Sequence, residues 1–132
     1  MQHASLLLLA RILLGLLFVL AGFGKLGNVD GFAAYMASGG IPAALAWPVV
    51  LFEIGAGLAL IAGLQTRLVA LALAVFCVAS GVLYHFDPAD QMQMTQLLKN
   101  LGLAGGYIAI FISGAGAWSL DARLGTAEPV KA

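Results

Sequence analysis

Arg11, Lys25, Glu53, His85, Lys99 and Asn100 are the side chains with chemistry to offer, because each lies inside or at the margin of a long apolar run. Glu53 is the costliest placement. A carboxyl near the middle of a membrane-crossing helix costs about 2.5–3.5 kcal/mol, and such acids usually line a site or support one. Arg11 falls about 9 Å in from the end of its run, and Glu53 about 16 Å from the same side, at 1.5 Å per residue. The long arginine stem spans that difference, so an Arg11–Glu53 pair is expected. Lys25, His85, Lys99 and Asn100 gather at the opposite end and make a mainly basic pocket mouth with one carboxylate beneath it. That arrangement suits an anionic or carbonyl-bearing ligand, a quinone head group for example. A plainer reading stands beside it, in which Lys25 and Lys99 snorkel to the surface and Arg11–Glu53 is a buried structural pair.

Other chemistries find no support. Cys77 is the only cysteine, which rules out an internal disulfide, a CxxC redox pair and a thiolate metal site made by this chain alone. Its expected role is that of a small packing residue. His3 and His85 are the only histidines and lie far apart, so no metal site is expected. The formal charge is zero and the basic residues are scattered, which gives nucleic acid no surface to bind.

The elements that must position these groups are membrane helices. Of 132 residues, 62% are hydrophobic and 9% charged, with a mean hydropathy of +1.02; a soluble domain has about 25% charged residues. Too little polar surface remains to cover a water-exposed globule. Arg11, Gly15, Phe18, Gly22 and Lys25 recur at steps of 4, 3, 4 and 3, so on a helix they form one stripe that turns toward protein rather than lipid. The expected fold is all-α: one domain over 1–132, a transmembrane four-helix bundle with spans at about 5–26, 43–64, 68–86 and 97–118. Gly15, Gly22, Gly55, Gly63, Gly102 and Gly106 are expected at helix contacts, with Gly55, Ala59 and Gly63 forming one ridge.

Between the first two spans, Val29, Phe32, Tyr35 and Met36 share a helical face, with Asn28 or Asp30 able to cap it. A short interfacial helix and an irregular packed loop are equally open there. Asp87-Pro88 reads as a helix start, Trp118 as an interface anchor, and Ser119 to Ala132 as a loose tail. The leader lacks a basic n-region and a small-x-small cleavage site, so the first span is expected to be retained. Arg67, Arg123 and Lys131 fall on the side of the termini, with Arg11 near it, against Asp30, Asp87 and Asp90 on the other. Both termini are therefore expected in the cytoplasm.

The chain resembles the DoxX family of small bacterial inner-membrane proteins. Four stretches carry the resemblance. They are Arg11-x3-Gly15-x2-Phe18-x3-Gly22-x2-Lys25-Leu26, Glu53-x3-Gly57-Leu58-x-Leu60-x2-Gly63, Lys99-Asn100-Leu101 running into Gly105-Gly106, and Ser119-Leu120-Asp121. The resemblance implies a four-helix inner-membrane protein tied to redox work, since relatives include a subunit of a thiosulfate:quinone oxidoreductase. It also implies partners from oxidative-stress defence, since a mycobacterial member is associated with a superoxide dismutase and a sulfurtransferase. The chain has no self-contained catalytic motif, so at most it is an oxidoreductase subunit whose electrons pass through a bound quinone or a partner's cofactor. Two other readings remain open: a ligand-free assembly partner, and a small permease working as a homo-oligomer.

Overall fold

A computed structural model describes the backbone of residues 2–127 and the side chains of residues 3–127. Among them are six α-helices: α1 (Gln2–Leu26), α2 (Val29–Ser38), α3 (Ala46–Ala62), α4 (Thr66–His85), α5 (Gln91–Ser113) and the short α6 (Leu120–Arg123), with a 3-10 turn at Ala43–Leu45 before α3. Three segments are long and apolar enough to cross a membrane: His3–Leu26, Ala43–Ala62 and Thr66–His85. Their outer faces carry exposed Leu6, Leu13, Leu20, Leu51, Leu68 and Val75, surface suited to acyl chains.

The helices associate as two close pairs, α1 with α3 and α4 with α5, joined by smaller α3–α4 and α1–α5 contacts. Glycine makes the first pair possible. A Cβ on Gly15 would stand 2.6 Å from the carbonyl oxygen of Gly57, and one on Gly57 would stand 2.7 Å from that of Gly15. Gly22 is closed in the same way by Ile54, at 2.5 Å from its Cγ1. With no hydrophobic drive between helices in lipid, this backbone approach supplies dispersion contacts that bulkier residues would prevent. A Cβ on Gly106 would stand 3.3 Å from Cδ2 of Leu14 in α1. Between the pairs runs a core of Phe18, Leu60, Leu73, Ala74, Cys77 and Tyr107. Phe18 meets Phe76 edge-on at 5.6 Å and Tyr107 at 5.9 Å.

Three of the expected glycine contacts need correction. Gly55 and Gly102 have nothing within 4 Å of a built Cβ, so they face away from the other helices. Gly63 is not a ridge residue but the C-cap of α3, at φ +72°, with the Arg11 guanidinium filling the space a side chain would need. Gly55→Leu is therefore expected to leave the unfolding free energy of the purified protein within about 0.5 kcal/mol of the wild type, whereas leucine at Gly15 is not tolerated.

The residues after Leu26 form a helix, and of the two expected caps it is Asn28 that caps α2, accepting from the Gly31 amide at 2.9 Å. Other boundaries differ from the sequence expectation. The cap of α5 is Asp90, whose Oδ1 accepts from Met92 N at 2.8 Å. Asp87 instead holds the preceding turn through Ala89 N at 3.1 Å. α5 ends at Gly114, φ +76°, so Trp118 follows the helix rather than closing it. Nor is the segment after it loose. Ser119 and Asp121 are buried, and Asp121 ties residues 119–127 back onto the turn between α3 and α4. Lys131 of the charge comparison lies outside the described residues.

Candidate functional site

α1 and α3 run antiparallel, and the Gly15–Gly57 contact sets their register. Beyond it, Lys25 on the last turn of α1, ten residues from Gly15, reaches back to Glu53, four residues from Gly57. Nζ lies 3.0 Å from Oε2 and 3.1 Å from Oε1. Moving the other way, Arg11 comes level with Gly63. The expected Arg11–Glu53 pair is therefore wrong. Arg11 and Lys25 are fourteen residues apart, or about 21 Å of helix, and only the lysine reaches the acid. Arg11 is fully buried, donates from Nη2 to the carbonyl of Trp118, and faces the charge of Asp121.

The Lys25–Glu53 pair stands in the wall of a cavity of about 410 Å³. Phe18 and Ala21 of α1, Val49 of α3, and Phe76, Cys77 and Ser80 of α4 form its apolar body, with Asn100 and Leu103 contributed by α5. α2 closes one side with Phe32, Tyr35 and Met36, the face read from the sequence as interfacial. It is seated by contacts with the cavity wall. Tyr84 Oη donates to Met36 O at 2.8 Å, and Tyr84 stacks on Tyr35 with 4.9 Å between centroids. The Lys25 ammonium lies 5.0 Å from the Phe32 ring centre, a cation–π contact.

Of the six residues singled out from sequence, Lys25, Glu53, His85 and Asn100 line this cavity; Arg11 and Lys99 do not. Lys99 is exposed. Asn100 and Leu103 share the inward face of α5, and the residue before Asn100 is rotated about 100° away. The mouth is thus not basic, because its one lysine is neutralised by Glu53. His85 Nδ1 sits 2.8 Å from Gln93 Oε1; with that oxygen as acceptor, Nδ1 carries the proton and Nε2 is left to accept. Sequence reasoning missed Tyr84, Phe32 and Tyr35 as wall residues, although the helical face in the first loop was the signal for two of them. Among the described residues no three His, Cys, Asp or Glu side chains cluster as a metal site.

At the other end, Asp121 organises the chain around the α3–α4 turn. Its Oδ1 accepts from Gln65 N at 2.8 Å and its Oδ2 from Thr66 N at 2.9 Å, while Thr126 Oγ1 adds a bond to Oδ1 at 3.2 Å. Burial alone would raise its carboxyl, but the hydrogen bonds from Thr66, Gln65 and Thr126 outweigh that and hold it below the ordinary carboxylate range. A group lowered on folding stabilises above its unfolded pKa of about 3.9, and that contribution is lost as pH falls through the lower folded value. Asp121→Asn should cost about 1–3 kcal/mol near neutral pH, since its amide group would face an amide donor. In melting curves from pH 7 down to 3, the gap between wild type and variant should close below about pH 4.

Helices long and apolar enough to cross a membrane, with an ion pair in the wall of a cavity between them, define an all-α membrane protein. The chain belongs to the DoxX family, whose profile matches residues 6–86. It is 38% identical over 117 residues to Inner membrane protein YqjF of Escherichia coli (strain K12), covering 89% of this chain and 90% of that protein. It is 34% identical over 125 residues to Inner membrane protein YphA of the same organism, with 89% of each covered. No solved structure matches it.

Proposed function

We propose that the chain is a four-span inner-membrane subunit of a redox complex, and that its cavity binds a neutral, carbonyl-bearing ring such as a quinone head group. The observation that carries the reading is the Lys25–Glu53 pair set in an aromatic and aliphatic wall. Neutralised by the acid, the ammonium is poorly suited to hold an anion but still has N–H groups to donate to a carbonyl. Phe18, Phe32, Phe76 and Tyr84 offer faces for a ring, and the volume falls in the range of small-molecule sites, about 300–1,000 Å³. When bound, a quinone supplies the redox chemistry; the chain's own residues orient the head group and hold a proton at Glu53 or His85 near it. The redox part of the reading draws on the family likeness.

α5, about 34 Å long at 1.5 Å per residue, is the fourth crossing in this reading and packs along α4. Four crossings place both termini on the side of Arg67 and Arg123, the cytoplasm, and open the cavity toward the outer side, where Asp30, Asp87 and Asp90 lie. A permeation path along the bundle axis has no support. The Phe18–Tyr107 contact and fully buried Leu60 fill the space beneath the cavity. The assembly reading has one observation in its favour, the open space over Gly55 and Gly102 on outward helix faces.

The test is solvent extraction of protein purified in mild detergent, followed by chromatography of the extract. A quinone recovered near one per chain, and a thermal midpoint raised by a short-chain quinone, are expected. Protein that carries none and does not respond to the added quinone overturns the reading. Loss of a co-purifying partner in Gly55→Leu, with quinone retained, would add docking to binding.

A further inference from the structure

A second cavity, of about 450 Å³, lies at the opposite end of the molecule. It sits between the first turn of α4, the Ser113–Ala117 segment and Asp121–Ala127. Arg67 lines it, half-buried, with its guanidinium lying over the left-handed Gly114; a Cβ there would be 3.4 Å from Nη2. Among the described residues Arg67 is in no ion pair, the one salt bridge being Lys25–Glu53.

The acid that shares the cavity does not answer it. Both oxygens of Asp121 are taken by Gln65, Thr66 and Thr126, and its charge is faced from inside by Arg11. Thr66, 1% exposed, lines the cavity with its hydroxyl turned toward the Asp121 carboxylate. Beside the cavity, Leu68 is 66% exposed, so apolar surface suited to an acyl chain begins one residue after the arginine.

We infer that this cavity binds the phosphate group of an anionic phospholipid, with the Arg67 guanidinium donating to two of its oxygens. Guanidinium matches phosphate in a paired geometry that a lysine cannot reproduce, and a basic recess at the cytoplasmic margin of a bundle is where anionic head groups collect. Exposed Trp118 nearby marks the same interfacial level. The site is separate from the quinone cavity, and its test does not depend on that reading.

The full chain, purified and delipidated in detergent, is titrated with phosphatidylglycerol, phosphatidylcholine or inorganic phosphate, with native mass spectrometry and the thermal midpoint as readouts. Phosphatidylglycerol should bind about fivefold or more tightly than phosphatidylcholine. Arg67→Gln should abolish the preference, Arg67→Lys keep part of it, and Lys99→Gln, an exposed cation at the other end, leave it intact. Inorganic phosphate that displaces the lipid confirms the phosphate as the recognised group; phosphate that binds through Arg67 where the lipid does not assigns a soluble source. A preference that survives in folded Arg67→Gln, or equal binding of both lipids with no response to phosphate, overturns the inference.

Discussion

Leucine in place of Gly57 prevents α1 and α3 from docking, and the protein should fail to accumulate as a folded particle. The Cβ alone would lie 2.7 Å from the Gly15 carbonyl oxygen and 2.9 Å from Val19 N, both backbone atoms that cannot rotate away. The two helices must then separate along their whole contact, which also pulls Lys25 from Glu53. Overpacking a tight core costs typically about 1–3 kcal/mol and occasionally more, and here the obstruction is backbone on both sides, so the upper end applies. Gly57→Ala should already lower the midpoint by several degrees. Size-exclusion profiles and thermal melts of the two variants check this; a Gly57→Leu protein that elutes and melts like the wild type would mean that the α1–α3 contact is not as tight as described.

Breaking the buried ion pair has the next largest effect, and its form separates structure from function. Glu53→Leu alone leaves the Lys25 ammonium, whose side chain is 26% exposed, unpaired beside an apolar wall, which should cost less than the roughly 3–5 kcal/mol of a fully buried charge. The double change Lys25→Met with Glu53→Leu removes both charges at nearly equal volume, and such replacements are often neutral or stabilising. The double variant should therefore recover the wild-type midpoint while losing the bound quinone. Recovery of stability with quinone still bound would make the pair purely structural and remove the proposed function. A double variant as unstable as Glu53→Leu would show that lost packing, not the stranded charge, sets the cost.

Much of this architecture can be read along the chain. The stripe from Arg11 to Lys25 does face protein, and Gly15 and Gly22 do lie at a helix contact, because side chains three and four apart share a face whatever the tertiary structure. That Glu53 would turn inward, away from lipid, followed from its cost there. Its partner did not follow. Both Arg11 and Lys25 lie on the right stripe, and the choice between them depends on where two antiparallel helices cross, which spacing within one helix does not encode. The Gly15–Gly57 contact leaves both cations offset along the helix from Glu53, and the choice turned on Arg11 being held at the far end by the Trp118 carbonyl. Lys99 was misplaced for a related reason: one residue of phase on α5 separates the cavity from lipid. The segment from Ser119 looked loose because its anchors are distant in sequence, and nothing local announces that Asp121 will cap a helix some fifty-five residues earlier in the chain.

The seating of α2 has a further consequence. Two of the side chains that fasten this helix to the bundle, Lys25 and Tyr84, are also wall residues. A guest that recruits either of them for itself loosens the grip on Phe32 or Met36, and a guest that pulls them closer tightens it. The packing of this ten-residue helix and the shape of the cavity are thus set by the same two side chains.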